Sequence, residues 1–179
     1  MIFGFFRKKD FGDFPIFLSN NRIFSNSKKG INLAESKKFG ETNQGKIIYS
    51  PYEALYLTEN LNAKLYKNER EISVQKFVKI FSKRNPEFST NYIAFKDLRK
   101  KGYLVKTGSK FGTEFRVSKK SEKHSKWILV AVNENEKLNL KDFVGKNRIA
   151  HSTGKKLLIA IIDSQENVNY FETDWLKLR

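Results

Sequence analysis

The side chains best suited to chemistry on a phosphate are a histidine, a lysine and an arginine in the C-terminal half of the sequence. His124 lies in a basic loop, Lys155 directly precedes an apolar run, and Arg148 lies between them. A histidine passes protons near neutral pH, and a fixed ammonium stabilises the charge that builds up on a pentacoordinate phosphate. Such groups can break a phosphodiester bond without a metal ion, provided that the fold brings them together.

Each of these side chains also has a simpler role open to it. A histidine in a charged loop is usually solvated, and His151 is expected to be an ordinary surface or packing histidine. Lys155 and Lys156 precede a predicted strand, so alternation allows only one of them to face a shared site. Lysines at such a place also protect strand edges. Arg148 could end a short helix or stack on a nucleobase.

The net charge points to a polyanion as the partner of this chain. Lys and Arg number 35 against 19 Asp and Glu, which gives a formal charge of +16 in 179 residues. About half of this surplus lies between Lys96 and Lys126. Nucleic acid is the favoured polyanion. A membrane surface is disfavoured, because the basic residues are interleaved with predicted strands and form no basic amphipathic helix.

The scarcity of cysteine and histidine argues against a metal site built from these residues. The sequence has no cysteine, which excludes disulfides, thiolate catalysis and thiolate zinc sites. Its two histidines are too few for a histidine-rich metal site. It also shows no Asp/Glu grouping of the kind that a magnesium-dependent DNA endonuclease needs. We therefore expect no metal and no cofactor. The apolar run before Arg7 is too short for a signal or spanning segment, so we expect a cytoplasmic protein without membrane association.

The first half of the sequence predicts a mixed domain of strands and helices. Residues 2–49 alternate short apolar runs with turn formers, which is typical of several short strands, and Asn20-Asn21 suggests a hairpin turn. Ile31–Lys37 is predicted to be a short helix. Ser50 as N-cap, Pro51 at the first helical position and Glu53 in a capping box predict a helix to about Glu59.

Two further helices separate the halves. Val74, Phe77, Val78 and Phe81 form one apolar stripe, which predicts a helix over residues 73–83. The next helix is predicted from about residue 89 to Gly102, the C′ glycine. We place an N-terminal domain at residues 1–84 and a C-terminal domain at residues 89–179. The fold class is α+β, with a mixed strand and helix domain followed by an α/β domain that has a central mixed sheet.

The second domain is predicted to be built on a sheet. Its apolar and alternating runs predict a helix over Leu138–Gly145 and strands over Tyr103–Lys106, Thr113–Ser118, Trp127–Val132, Leu157–Ile162, Val168–Phe171 and Trp175–Leu178. Trp127–Val132 and Leu157–Ile162 are nearly continuous apolar runs, which is typical of central strands covered on both sides. In the strand that ends at Ser118, alternation places Phe115 and Val117 on one face and Arg116 and Ser118 on the other.

Several stretches of this sequence resemble archaeal tRNA-splicing endonucleases. In the C-terminal half these are residues 95–117, Glu122-Lys-His-Ser125 and residues 148–160, in the family's order and spacing. In the N-terminal half the best local match is Ser50-Pro-Tyr-Glu-Ala-Leu-Tyr-Leu57. The resemblance implies an N-terminal mixed domain, a C-terminal nuclease domain and a homo- or heterotetramer with a second endonuclease subunit. It also implies metal-independent cleavage of precursor tRNA at bulge–helix–bulge sites, which leaves a 2′,3′-cyclic phosphate and a 5′-hydroxyl.

The same resemblance assigns roles to individual positions. His124 matches the family's general acid, and Lys155 matches the lysine that stabilises the pentacoordinate phosphate. Arg148 matches an arginine that clasps a flipped bulge base; Tyr170, which could stack on a base, and Arg116 join it as substrate-binding candidates. Glu134 and Glu136 occupy the acidic loop that docks into a neighbouring subunit.

The sequence departs from the family pattern at the catalytic tyrosine. Ser118 follows Phe115-Arg116-Val117, where the family has the tyrosine that is presumed to be the base for the 2′-hydroxyl. A serine hydroxyl is far less acidic than a phenol, whose pKa is about 10, so Ser118 cannot simply inherit this catalytic role. Two alternatives stay open beside an active subunit. The chain could be the structural subunit of a heterotetramer, or a non-enzymatic RNA-binding assembly protein.

Overall fold

The computed structural model describes residues 13–20, 22–108 and 114–176. The chain forms two compact units that divide between Ile80 and Phe81. Each unit contains helices and one mixed sheet, which confirms the predicted α+β class. In the described part of the chain, no helix has both the length and the apolar composition needed to cross a membrane.

The first unit is built around a six-stranded sheet in the order β3-β4-β2-β1-β5-β6, in which β1 and β5 are parallel and the other neighbours antiparallel. Its core includes Ile16, Ile47, Leu55, Leu65 and Phe77. The elements of this unit are β1 (Pro15–Ser19), β2 (Arg22–Ser25), α1 (Lys28–Lys37), β3 (Glu41–Asn43), β4 (Lys46–Tyr49), α2 (Pro51–Leu61), β5 (Lys64–Lys67), β6 (Arg70–Glu71) and α3 (Val74–Ser82), the last of which contains the division.

Local sequence signals explain two features of this unit. Ser19 of β1 pairs with Arg22 of β2, so the hairpin is closed by two residues, and Asn20 has the positive φ of 46° that such a turn requires. Ser50 caps α2 by accepting a hydrogen bond from Glu53 N, while Glu53 Oε2 accepts one from Ser50 N. The predicted capping box is therefore confirmed. Residues 2–12 of the stretch predicted to form short strands, and Asn21, lie outside the described residues.

The second unit has a five-stranded sheet in the order β11-β10-β9-β8-β7, in which β9 and β10 are parallel and the remaining pairs antiparallel. Helix α4 packs against β7 and β9, and α5 packs against β10. Ile128 and Leu157 are buried at the centre, as the apolar runs predicted. The elements are α4 (Phe88–Lys100), β7 (Leu104–Thr107), β8 (Phe115–Ser118), β9 (Trp127–Asn133), α5 (Leu140–Ser152), β10 (Lys156–Ile162) and β11 (Val168–Thr173).

Two predictions for the second unit are wrong in extent. Helix α5 does not end at Gly145 but continues to Ser152, because Ile149 and Ala150 extend its apolar face over the core formed with Ile128 and Leu157. The glycine that ends α5 is Gly154, whose φ is +65°. The strand predicted over Trp175–Leu178 is absent at residues 174–176, and residues 177–179 lie outside the described range.

The short strands β3, β5 and β6 were not predicted from the sequence. β3 has the sequence Glu-Thr-Asn and β6 consists of Arg70 and Glu71, so neither carries the apolar alternation on which strand prediction depends. Both are edge strands, and they form because their backbone groups hydrogen-bond to a neighbouring strand. The loop predicted over residues 107–112 lies largely in the gap at 109–113, which is outside the described residues.

Candidate active site

The hairpin of β7 and β8 supplies one wall of the candidate site. Lys106 pairs with Arg116, and Leu104 pairs with Ser118, so these four side chains share one face of the hairpin. The opposite face carries Val105, Phe115 and Val117, which are 1% exposed or less. The alternation predicted in β8 is therefore confirmed. It holds because the apolar face is fixed in the core, which leaves Arg116 and Ser118 half-buried on the other face.

The start of the two parallel strands supplies the second wall. Trp127, at the start of β9, is the register partner of Lys156, at the start of β10. A hydrogen bond of 3.0 Å from Lys156 N to Lys126 O continues this pairing before the strands. Because parallel strands begin at the same edge of a sheet, the residues just before β9 and β10 are brought together. This geometry gathers His124 and Lys155, which are far apart in the sequence.

A helix-ending motif fixes the backbone at Lys155. Lys155 N donates to Ala150 O at 2.8 Å, and Gly154 N donates to His151 O at 3.0 Å. With Thr153 as C-cap and Gly154 in the left-handed region, these two bonds form a Schellman motif. The Lys155 side chain is further tied by a hydrogen bond of 3.0 Å from Nζ to Thr153 O. This hydrogen bond holds the Lys155 ammonium in a defined position.

These walls enclose a cleft of about 390 Å³, within the range of about 300–1,000 Å³ that ligand sites occupy. His124 and Lys155 both line it, together with Ser118 and Arg116. The described residues of the lining include four cationic side chains and one carboxylate, a balance of charge that suits a phosphate ester. The described residues that line the cleft are Leu104, Lys106, Arg116, Ser118, Glu122, Lys123, His124, Ser125 and Lys155.

Lys156 is held outside the cleft in a cluster of ion pairs. Its Nζ lies 2.7 Å from Glu172 Oε1 and 3.3 Å from Asp174 Oδ2. The other oxygen of Glu172 accepts a hydrogen bond of 2.6 Å from Trp127 Nε1. The hydrogen bonds from Lys156 and Trp127 lower the pKa of the Glu172 carboxyl, and those to Glu172 and Asp174 raise the pKa of the Lys156 ammonium. The two adjacent lysines thus have different surroundings, as alternation predicted.

Two predicted substrate-binding residues lie outside this cleft. Arg148 is exposed in the last two turns of α5. Tyr170 lies on β11, where its hydroxyl donates to Asp97 Oδ2 at 2.7 Å and Lys101 Nζ sits 4.9 Å from the centre of its ring. Burial, followed by the bond to Asp97, raises the pKa of the Tyr170 hydroxyl. Within this chain, neither residue is brought to His124 and Lys155, and their predicted role stays a prediction.

The acidic loop between β9 and α5 is exposed and ordered by its own carboxylates. Glu134 Oε1 accepts a hydrogen bond of 2.8 Å from Ser164 N, and Glu134 N donates to Ile162 O. Glu136 Oε2 lies 3.3 Å from Asn133 N. These contacts hold the loop in one shape with two carboxylates at its surface. Docking into another subunit stays a prediction for both residues.

Three charged residues of the cleft were not singled out by sequence reasoning: Lys106, Glu122 and Lys123. Lys106 could have been found, because it is the cross-strand partner of Arg116 on the face that carries Ser118. Glu122 and Lys123 belong to the loop of His124, where no periodicity indicates direction. Throughout the described ranges, no three His, Asp or Glu side chains are grouped so that they could hold a metal ion.

Two family models match this sequence and together cover most of it. The model described as tRNA intron endonuclease, N-terminal domain, matches residues 15–78, and the model described as tRNA intron endonuclease, catalytic C-terminal domain, matches residues 88–170. The second range contains every described residue that lines the cleft.

Curated relatives agree with these matches. The tRNA-splicing endonuclease of Pyrococcus abyssi is 35% identical over 162 residues, which is 90% of this chain and 95% of the relative. That of Thermococcus kodakarensis is 36% identical over 163 residues, covering 90% and 97%. That of Methanothermobacter thermautotrophicus is 34% identical over 143 residues, covering 78% and 83%. The predicted resemblance is confirmed: the chain belongs to the tRNA intron endonuclease family, a family of nucleases.

Proposed function

We propose that this chain is an active subunit of a tRNA-splicing endonuclease. It cleaves precursor tRNA at bulge–helix–bulge sites without a metal ion and leaves a 2′,3′-cyclic phosphate and a 5′-hydroxyl. Membership in the family supports the reaction class. The observation that carries the proposal is that His124 and Lys155 line one cleft that is rich in positive charge.

Each side chain in the cleft has a separate role in the proposed reaction. His124, which is exposed to an incoming strand, protonates the leaving O5′ as general acid. The Lys155 ammonium stabilises the non-bridging oxygens of the pentacoordinate phosphate, where a preorganised charge acts most strongly. Arg116, half-buried on β8, holds the scissile phosphate or its neighbour through its planar fork of donors. Ser118 touches the ribose at the place where the family has its tyrosine.

The residues outside the cleft act on other parts of the complex. Arg148 on α5 and Tyr170 on β11 bind the bulge nucleotides, Arg148 by stacking its guanidinium on an unpaired base. Glu134 and Glu136 dock into a basic surface of a second subunit, and opposite charges there favour correct assembly. The assembly is a homo- or heterotetramer. Co-purification followed by mass measurement separates the two cases, since one mass indicates a homo-oligomer and two masses a hetero-oligomer.

One observation favours a second candidate, the structural subunit of a heterotetramer. Ser118 stands where the family has its tyrosine, and no tyrosine is among the described residues that line the cleft. A structural subunit, or a non-catalytic RNA-binding assembly protein, would leave cleavage to a partner chain with a complete site. Both alternatives predict that the cleft of this chain does not affect the cleavage rate.

Replacement of the two histidines tests the proposed function. The purified assembly is incubated with a bulge–helix–bulge RNA in EDTA, and the single-turnover rate is measured for wild type, His124→Ala and His151→Ala. We expect His124→Ala to lower the rate by about 10²–10⁴-fold. His151 lies on α5 and stacks on Trp175 at 6.0 Å between ring centres, so its replacement is the matched control and leaves the rate unchanged. Full activity of the His124→Ala assembly would assign the chain a structural role.

A further inference from the structure

Cleavage as proposed above needs a proton acceptor for the attacking 2′-hydroxyl, and the inference drawn here rests on that proposed function. The Ser118 hydroxyl is a poor acceptor, and His124 is already needed as the acid that protonates the leaving oxygen. A second group in the same cleft must therefore take the proton. A carboxylate is suited to the task, because it is an acceptor with two oxygens.

Glu122 is the one carboxylate among the described residues that line the cleft. It lies two residues before His124, in the loop that leads from β8 to β9, and it is half-buried while His124 is exposed. Ser118 and Lys155 line the same cleft. A proton acceptor, a proton donor and a cation thus share one space.

A tight turn fixes the Glu122 side chain. Glu122 N donates to Lys119 O at 3.1 Å, and Glu122 Oε2 accepts a hydrogen bond of 3.1 Å from Lys119 N. These reciprocal bonds close the turn that follows β8. Oε1 makes no hydrogen bond to any group in the part of the chain that the structure describes. The carboxylate is therefore anchored through one oxygen and can offer the other to a ligand.

Each element that supplies a described residue of the cleft also supplies a cationic or titratable group. The charged and titratable groups that share the cleft with Glu122 are Lys106 on β7, Arg116 on β8, Lys123 and His124 in its own loop, and Lys155 before β10. They place the substrate phosphate next to Glu122 in spite of its negative charge, because the formal charge of the lining stays positive.

We propose that Glu122 is the general base of this active site. Its Oε1 accepts the proton of the 2′-hydroxyl as the 2′-oxygen forms a bond to phosphorus. The bond from phosphorus to O5′ then breaks, and the proton on His124 passes to O5′. The products are the 2′,3′-cyclic phosphate and the 5′-hydroxyl, and Glu122 and His124 return to their starting states by exchanging one proton each with water.

Glu122→Gln tests this role without removing the turn, because the amide oxygen of glutamine can still accept the hydrogen bond from Lys119 N. In the assembled protein we expect the single-turnover rate at saturating RNA to fall by about 10²–10⁴-fold. The Kd for RNA does not rise, because the substitution removes a negative charge from the cleft that holds the phosphate. Glu166→Gln is the matched control. Glu166 is exposed in the turn between β10 and β11, outside the residues of the cleft, so its replacement leaves the rate unchanged.

The pH–rate profile separates a base from a merely structural residue. If Glu122 is the base, the wild-type cleavage rate falls at low pH, where the carboxylate is protonated and cannot accept a proton. Glu122→Gln then no longer shows this decrease at low pH. It still shows the decrease at high pH, where the general acid His124 has lost its proton. A turn residue would leave the shape of the profile unchanged. Wild-type cleavage that needs His124 but is unaffected by Glu122→Gln overturns the inference and leaves the proposed function standing. No effect of His124→Ala overturns both.

Discussion

Lys155 and Lys156 are adjacent in the chain, yet Lys155 lines the same cleft as His124, whereas Lys156 Nζ lies 2.7 Å from Glu172 Oε1 in an ion-pair cluster outside the cleft lining. The separation follows from the end of α5 and the start of β10. A Schellman motif fixes the backbone of Lys155, and strand alternation then turns the next side chain away. One residue carries the proposed chemistry and its neighbour stabilises the sheet.

The two lysines therefore form a matched pair of substitutions. We expect Lys155→Ala to lower the single-turnover cleavage rate by about 10²–10³-fold, because a preorganised charge on the transition state is lost. Lys156→Ala leaves the rate unchanged and lowers stability slightly, since it breaks exposed ion pairs. Rates at saturating RNA and melting temperatures at equal protein concentration are the measurements. Equal rate losses for both variants would contradict the assignment.

Ser118 offers a gain-of-function test of the cleft. It lines a space of about 390 Å³ and is half-buried at the end of β8, so a larger side chain can extend into the opening. We expect Ser118→Tyr to raise the single-turnover rate by at least about tenfold, because a phenol supplies a second group able to take the 2′-hydroxyl proton. The same replacement restores part of the rate lost in Glu122→Gln.

Ser118→Phe is the control for that substitution. Phenylalanine has nearly the same volume and lacks the hydroxyl, so it produces no gain in rate. A similar increase with both aromatic residues would mean that packing against the substrate, not proton transfer, is responsible. An unchanged rate with Ser118→Tyr would show that proton removal from the 2′-hydroxyl does not limit cleavage.

The parts of the site that could be predicted are those fixed by periodicity. Alternation in β8 placed Arg116 and Ser118 on one face because Phe115 and Val117 must be buried. The convergence of His124 and Lys155 could not be predicted from periodicity, because it depends on β9 and β10 being parallel neighbours with a particular register. No local pattern encodes that pairing. The family resemblance supplied it.

The parts that could not be predicted are set by contacts distant in sequence. The end of α5 was misplaced because Gly145 and Gly154 look alike in the sequence, and only packing on Ile128 and Leu157 carries the helix past the first of them. Tyr170 was expected to be available to a base, but its hydroxyl is bound to Asp97, 73 residues earlier. Glu122 lies in a loop, where side-chain direction follows from the turn and not from a period.

The two glycines of this region give a prediction about stability. A Cβ at Gly145 or at Gly154 meets nothing within 4 Å, so the two differ in backbone conformation alone. Gly154 has a φ of +65°, and we expect Gly154→Ala to lower the free energy of unfolding by about 1–2 kcal/mol. Gly145 lies inside α5, and we expect Gly145→Ala to raise the free energy of unfolding by about 0.5–1 kcal/mol. Urea unfolding at equal concentration measures both. Destabilisation by Gly145→Ala would contradict this account.

Tyr170 permits a test that separates its structural bond from its proposed contact with RNA. Tyr170→Phe removes the hydrogen bond to Asp97 and keeps the ring, and we expect a loss of about 1–3 kcal/mol in the free energy of unfolding. The Kd for RNA stays unchanged if the ring stacks on a base. Tyr170→Leu, which removes the ring as well, weakens RNA binding in addition. Equal RNA affinity for both variants would exclude stacking by this residue.

The Glu172 carboxyl gives a prediction about stability and pH. Hydrogen bonds from Lys156 Nζ and Trp127 Nε1 lower its pKa in the folded chain. A lowered carboxyl pKa adds stability that is complete above the unfolded value of about 4.3 and is lost as pH falls through the folded value. We therefore expect wild type to be more stable than Glu172→Gln at pH 7, and this difference to shrink below about pH 4.

Urea unfolding of both proteins at pH 7 and pH 3 measures that difference, and the other carboxyl groups cancel because both proteins contain them. The effect is small, since Lys156 and Glu172 are more than one-third exposed and water screens the pair. Glu166→Gln, at an exposed turn, is the matched control for the loss of one carboxylate. If the difference between wild type and Glu172→Gln were the same at both pH values, the neutral hydrogen bond to Trp127 would account for the contribution of Glu172, and its charge would contribute nothing.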